Sequence, residues 1–335
     1  MKRILFSTTN YKYLEQAFLA YQTKHQPPTS YGGTDARIVR DGSMETKAFP
    51  DGEVYHRFMD PVAGKQVIII GGTTTDSETL ELFDLACHAA KSQALSITLI
   101  IPYFGYSTME RAVQPGEIVK AKTRARLLSA IPATRMRVIF MDLHSEGTPH
   151  YLEGSIQPVH LYGKKIIMKM CKKISNEEGQ DYKTNTDFVL ASTDAGRAKW
   201  VESLANEMGV DCAIITKRRK SGTDTEIVGI NADVKGKKVV IYDDMIRTGG
   251  SLISAGQAYK DAGASKVYAV ATHGVLPGES LLKLMNSGVF EKVFVTNTHP
   301  KANELKEWAT KNGVNGLFFE AFDVSPIFYK YLRTH

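Results

Sequence analysis

The stretch KKVVIYDDMIRTGGSLISAGQAYKDAGA (237–264) sets an apolar run, two adjacent carboxylates, a Thr-Gly-Gly-Ser turn and an amphipathic segment in direct succession. The run VVIY is continuously apolar and β-branched, which marks a strand covered on both faces, as in a parallel sheet. In open α/β sheets ligands bind outside the carboxyl ends of the strands, where this chain places Asp243 and Asp244. Gly249 and Gly250 remove side chains, so backbone N–H groups can face a phosphate at a helix N-terminus. The hydroxyls of Thr248 and Ser251 add donors. The two acids, one at the strand end and one in the loop, would repel a phosphate but suit two vicinal hydroxyls. A sugar phosphate satisfies both halves. The bland alternative is a strand, turn and helix with surface acids.

Working outward, the same plan recurs along the chain. Strands are expected at Arg3–Ser7, Gln66–Ile70, Ile97–Ile101, Val138–Asp142, Phe188–Ala191, Ala213–Thr216, Lys238–Asp243, Val267–Ala271 and Val293–Thr296, most followed by helical periodicity. Alternating β and α elements predict an α/β fold with mainly parallel sheets flanked by helices. Length favours two such domains. VIFMDLHSEGTP (138–149) and VVIYDDMIRTGG (239–250) share an apolar strand, a terminal acid and a polar turn, with Asp142 and Asp243 101 residues apart, which hints at a duplicated unit. The expected domains are 1–155 and 156–335, with about 322–335 packing back on the first. SNEEGQDYKTNTD (175–187) reads as a surface loop.

The 335 residues are 43% hydrophobic, which excludes disorder and collagen-like repeats. The longest apolar runs, such as VIIIGG (67–72), fall far short of a bilayer span, so no membrane association is expected. MKRILFSTTN lacks the apolar core and cleavage site of a secretory signal, and a cytoplasmic location is expected. Cys87, Cys171 and Cys212 are widely spaced, with no Cys-x-x-Cys pair, and read as reduced thiols. The net charge of +6 is scattered and not gathered into a stripe with aromatics, so no nucleic-acid partner is expected, and a small anionic substrate explains the excess as well.

Other segments have both a bland and a chemical reading. TKRRKSGTDTE (216–226) places four consecutive cations at a strand end before small, polar residues; it reads as a mobile loop and, by itself, as a solvated face. His144, beside Asp142, and Asp194, in the turn STDAG, read as capping or core polar groups. FPDGE (49–53) has the composition of a tight turn. Gly-Lys occurs at 64–65, 163–164 and 236–237 but never with a following Ser or Thr, so no Walker A loop is present; G-x-G-x-x-G, H-E-x-x-H and G-x-S-x-G are absent too.

The segment 237–264 resembles the 5-phosphoribosyl-1-diphosphate (PRPP) loop of type I phosphoribosyltransferase folds. FPDGE, PYFGYSTMER (102–111), MDLHS (141–145), STDAG (192–196) and TKRRKSGTDTEIVG (216–229) resemble, in the same order, the blocks of ribose-phosphate diphosphokinases, or PRPP synthetases. GEIVKAKTRARLLSAIP (116–132) and THGVLPGES (272–280) look more like the phosphate-independent, class II plant-type branch. The resemblance covers nearly the whole chain and implies two tandem phosphoribosyltransferase-like, Rossmann-like domains. It implies that ATP and ribose 5-phosphate are the substrates, that Mg2+ is the cofactor, and that the chain forms a homo-oligomer with a shared nucleotide site.

Residue by residue, the resemblance makes Lys217 and Arg219 the catalytic pair on a loop closing over the transferring diphosphoryl group. His144 and Asp194 match positions approaching the magnesium, which takes few protein ligands. Phe49, Asp51 and Glu53 become nucleotide contacts, and so do His144 and the block at Thr108, Met109 and Glu110. Asp243, Asp244, Arg247, Thr248, Gly249, Gly250 and Ser251 take ribose 5-phosphate. The departures matter as much. Thr108, Met109 and Glu110 stand where class I members carry Arg-Gln-Asp, and DPVAGK (60–65) and AVQPGEI (112–118) replace the segments that bind activating phosphate and inhibitory ADP. Independence from phosphate, competitive ADP inhibition if any, and relaxed nucleotide choice are therefore expected. Arg247 replaces an acid, which opens a second acceptor, a ribose bearing a nucleoside diphosphate such as ADP-ribose. An inactive, synthetase-associated regulatory subunit is the alternative from another class.

Overall fold

The computed structural model describes residues 2–25, 38–177, 188–221, 224–314 and 316–335. The chain divides into two units, Met1–Tyr162 with Asp323–His335, and Gly163–Phe322.

The first unit contains β1 (Arg3–Ser7), α1 (Lys12–His25), β2 (Val39–Asp41), β3 (Met44–Ala48), β4 (Val54–Phe58), β5 (Gln66–Ile70), α2 (Asp76–Lys91), β6 (Ser96–Ile101), α3 (Lys120–Ser129), β7 (Met136–Met141) and β8 (Gln157–Leu161). The second contains α4 (Lys164–Glu177), β9 (Phe188–Ser192), α5 (Ala198–Met208), β10 (Asp211–Ala213), β11 (Ile215–Ser221), β12 (Asp224–Ile230), β13 (Lys238–Ile246), α6 (Gly250–Asp261), β14 (Lys266–Gly274), α7 (Ser280–Asn286), β15 (Lys292–Thr296), α8 (Pro300–Lys311) and β16 (Phe319–Phe322). The chain then returns to the first unit as α9 (Ser325–Thr334).

Among the described residues each unit has one six-stranded sheet, in the order β2-β1-β5-β6-β7-β8 and β10-β9-β13-β14-β15-β16, with every strand pairing parallel. Counted along the chain, the two orders are the same. Each unit also has a separate two-stranded antiparallel hairpin in the same slot of the chain, β3–β4 after β2 and β11–β12 after β10. The duplication hinted at in the sequence is present, but its register differs. The counterpart of β13 is β5, the third strand of its sheet; β7 is a fifth strand. Both β7 and β13 lead into acids because parallel strands bring all their C-terminal ends to one edge, where polar residues gather.

The expected boundary at 155/156 also moves, to 162/163. Residues 157–161 form β8, whose register Arg137↔Gln157 to Met141↔Leu161 makes it an edge strand of the first sheet. In the returning α9, Tyr329 meets Phe18 and Tyr21 of α1 edge-on, with ring centroids 5.8 and 5.4 Å apart. Of the loop expected at 175–187, residues 178–187 lie outside the described residues.

Burial explains the parallel arrangement. On one face of the first sheet Ile4, Phe6, Val67, Ile69, Leu99 and Val138 pack with Leu82, Leu85 and Ala86 of α2, while Leu5, Ile68, Ile100 and Ile139 are buried on the other. The second sheet repeats this: Val239, Ile241, Val267 and Val293 pack with Leu252, Ala255 and Tyr259. Opposite, Trp200 of α5 stacks on Tyr242 of β13, with centroids 3.8 Å apart and planes within 11°. The Tyr259 hydroxyl donates to the carbonyls of Ser192 and Ala213, fixing α6 to the ends of β9 and β10. No described helix is long and apolar enough to cross a membrane.

Candidate active site

In the second unit, the C-terminal end of β13 and the turn after β9 form one polar cluster. Because β13 runs on to Ile246, Asp243 and Asp244 both lie within the strand, and neither lies in the loop as the sequence implied. Asp243 is half-buried: its Oδ1 accepts the Asp244 N–H (2.9 Å) and its Oδ2 accepts the Thr193 hydroxyl (3.0 Å). Asp244 is almost completely buried and pairs through Oδ2 with Arg197 Nη2 at 2.6 Å. Burial, and then the neighbouring Asp244 carboxylate, push the Asp243 carboxyl up to about 7, while Thr193 and Arg197 pull the other way. Asp194 begins the 3-10 turn Ala195–Arg197, and its Oδ1 accepts the Gly196 N–H at 2.8 Å.

Arg247 and Thr248 follow the strand, exposed. Gly249 caps α6 with φ +75°, and a Cβ there would stand 2.9 Å from Leu284 Cδ2, so glycine is required on both counts. No side chain caps α6. Its first N–H groups, at Gly250 and Ser251, have no partner within the helix, which is the property a phosphate-binding loop needs.

The run expected as a mobile loop is an antiparallel hairpin: Lys217 pairs with Ile227 and Arg219 with Thr225 in β11–β12. The β-branched residues of EIVGI, on the returning strand, favour this. The side chains of Lys217 and Arg219, with Gly222 and Thr223, lie outside the described residues.

In the first unit, FPDGE is the tight turn between β3 and β4: Phe49 N–H donates to Glu53 O (2.8 Å), Glu53 N–H donates to Asp51 Oδ1 (3.1 Å), and Gly52 has φ +94°. Phe49 remains 40% exposed. Thr108, Met109 and Glu110 follow β6; the Met109 carbonyl accepts from Ala121 N–H and the Glu110 carbonyl from the Tyr151 hydroxyl. His144 follows β7, beside a buried Asp142 at φ +39°.

The parallel strands bring the turns after β5, β6 and β7 to one edge. Sequence reasoning passed over two features there. Arg124 of α3 pairs with Asp76, the Tyr106 hydroxyl also donates to Asp76, and Lys120 and Arg124 both stand 4.8 Å from the Tyr106 ring. The loop after β5, counterpart of the 247–250 loop, is filled from within. The buried Glu78 carboxylate accepts from the Gly72 N–H and the Thr74 hydroxyl, and the Thr75 hydroxyl accepts the Glu78 N–H. Burial raises the Glu78 carboxyl above its ordinary range. The Thr-x-x-Glu spacing at 75–78 is a capping-box signal that could have revealed it.

Among the described residues no group of three His, Cys, Asp or Glu side chains is assembled for a metal. Asp194 lies in the turn before α5 of the second unit, and His144 follows β7 of the first.

Comparison with known proteins fits this arrangement. A family model for the N-terminal domain of ribose phosphate pyrophosphokinase matches residues 6–131, and one for the phosphoribosyl synthetase-associated domain matches 202–312. The chain is 34% identical to a ribose-phosphate pyrophosphokinase of Chlorobaculum tepidum over 82% of this chain and 81% of that one. It is also 34% identical to the chloroplastic ribose-phosphate pyrophosphokinase 2 of Oryza sativa subsp. japonica, over 82% of this chain and 65% of that one. The solved phosphoribosylpyrophosphate synthetase of Mycobacterium smegmatis superposes with a TM-score of 0.79 at 24% identity, covering 100% of this chain and 98% of that one, so the fold is shared. The chain belongs to the ribose-phosphate pyrophosphokinase family of enzymes.

Proposed function

We propose that the protein is a diphosphotransferase that makes PRPP and AMP from ATP and ribose 5-phosphate. The observation that carries the reading is the sequence of parts at the end of β13: two acids, then an uncapped glycine-initiated helix start, inside the stretch 202–312 that the synthetase-associated family model matches. The acids suit the ribose hydroxyls, and the 248–251 loop suits the 5-phosphate. The C1 hydroxyl oxygen attacks the β-phosphorus of ATP. A new P–O bond forms, the bond to the oxygen bridging the α- and β-phosphorus breaks, AMP leaves with that oxygen, and the hydroxyl proton is released. Lys217 and Arg219 would stabilise the charge that develops, which is commonly the largest catalytic contribution. Asp194 and His144 would approach a magnesium ion that neutralises the nucleotide phosphates. Phe49, Asp51, Glu53 and the 108–110 turn would serve the nucleotide, the first three within a homo-oligomer. The reading includes independence from activating phosphate, supported by the replaced segments 60–65 and 112–118, and residence in the cytoplasm.

The test is ³¹P NMR with nucleotide chromatography on ATP, magnesium and ribose 5-phosphate in phosphate-free buffer. Equal amounts of AMP and PRPP are expected. Formation of ADP instead would make the enzyme a monophosphoryl kinase and end the reading. Activity appearing only after phosphate is added would end its phosphate-independent part, and activity only with ADP-ribose would move the acceptor.

A further inference from the structure

Arg197 lies outside every segment assigned above to a substrate, yet it pairs with the buried acid of β13. Its guanidinium, 19% exposed, meets an Asp244 carboxylate that is 4% exposed. A carboxylate so covered is costly unless a cation and hydrogen bonds compensate it. Arg197 occupies the N-cap position of α5, but its side chain makes no cap there and turns to Asp244. Four residues away the other end of the same turn does the equivalent for the first acid, since the Thr193 hydroxyl holds Asp243. One turn, 193–197, therefore grips both acids of β13.

We infer that Arg197 is a positioning residue for the sugar, holding Asp244 in the orientation in which the pair takes the ribose hydroxyls. The inference rests on the proposed reading of 243–251. Geometry separates this role from simple cross-linking of α5 to β13, because the Trp200–Tyr242 stack already joins those elements. Because Arg197 pairs with Asp244 and also draws the Asp243 carboxyl down, its effect on sugar binding should shrink strongly when Asp244 loses its charge. Lysine in its place would restore a cation but not the planar fork.

The test is a double-mutant cycle on the full chain. Ribose 5-phosphate affinity is measured by calorimetry without nucleotide, and KM for both substrates by the AMP assay. Arg197→Gln is expected to weaken ribose 5-phosphate binding by roughly 10–100-fold, the usual effect of losing an orienting partner, while KM for ATP stays within about twofold. Arg197→Lys should recover part of the loss. On an Asp244→Asn background, the same Arg197→Gln change should cost less than about threefold, because coupled residues are non-additive. If Arg197→Gln does not fold, Arg197→Lys, which keeps a cation beside Asp244, is compared with the unsubstituted arginine on both the wild-type and the Asp244→Asn backgrounds. Unchanged sugar affinity in Arg197→Gln, additive losses, or a parallel rise in both KM values would overturn the inference. A wild-type chain that binds no ribose 5-phosphate would instead remove the proposed function, and the inference with it.

Discussion

Asp243 is where stability and chemistry oppose each other most directly, and Asp243→Asn measures the conflict. In the folded chain its carboxyl is pushed up to about 7 by burial beside Asp244, whereas an unfolded aspartate titrates near 3.9. A raised carboxyl favours the folded state fully below about pH 4, and that contribution is lost as pH rises through 7. At about 1.4 kcal/mol for each pH unit, holding Asp243 ionised at pH 8 costs the fold about 4 kcal/mol. Asparagine keeps an oxygen for the Asp244 N–H but forfeits the bond between the Thr193 hydroxyl and a charged acceptor, about 1–2 kcal/mol. The ligand-free variant should therefore be about 2–3 kcal/mol more stable than the wild type at pH 8, a rise in Tm of about 5–10 °C for a domain of this size, with no gain near pH 4. Urea titrations at the two pH values give the difference, and ribose 5-phosphate affinity should fall in the same variant. Equal gains at both pH values, or a loss at pH 8, would refute the argument that ionisation of Asp243 opposes folding.

Three further outcomes are expected. Gly249→Ala strains a residue at φ +75° and drives a methyl against Leu284, so it should cost about 1–3 kcal/mol in urea; Gly116→Ala, at φ +88° with nothing within 4 Å, should lose only the strain. Glu78→Ala leaves the Gly72 N–H and Thr74 hydroxyl without their acceptor and should destabilise by about 2–3 kcal/mol, while Glu78→Gln should stay within about 1 kcal/mol of the wild type at pH 8, since burial already disfavours the charge. Lys217→Ala should reduce turnover by about 10²–10³-fold with ribose 5-phosphate binding nearly intact, and unchanged turnover in a rapid-quench assay would take Lys217 out of the mechanism.

The parallel architecture was legible because VIII, LII, VIF and VVIY are apolar on both faces, and seven of the nine expected strands start where the structure starts them or within one residue. What escaped notice is equally instructive. QPVHL was missed as β8 because an edge strand need not be apolar throughout, and that shifted the domain boundary. TKRRKSGTDTE was read as a loop from the small and polar residues after its cations, whereas hairpin pairing is decided by backbone register with EIVGI across the turn. The acids of β13 and the glycines after it announced themselves by type and spacing. Arg197 did not, since its partner lies 47 positions further along the chain and only the turn after β9 brings them together.

The two copies of the loop after the third strand differ in what completes them. In the first unit Glu78 and Thr75 occupy the loop and the start of α2 permanently, so that corner of the fold is finished as soon as the chain folds. In the second unit the start of α6 has no side-chain cap. A ligand at 1,000 times its Kd adds about 4 kcal/mol to the unit that binds it and nothing to the other. Hydrogen exchange on the ligand-free enzyme should therefore be faster through Gly249–Leu252 than through Thr75–Glu78, and a sugar phosphate should slow the first set alone. One unit closes this corner with its own side chains, and the other leaves the N–H groups at the start of α6 uncapped by any side chain.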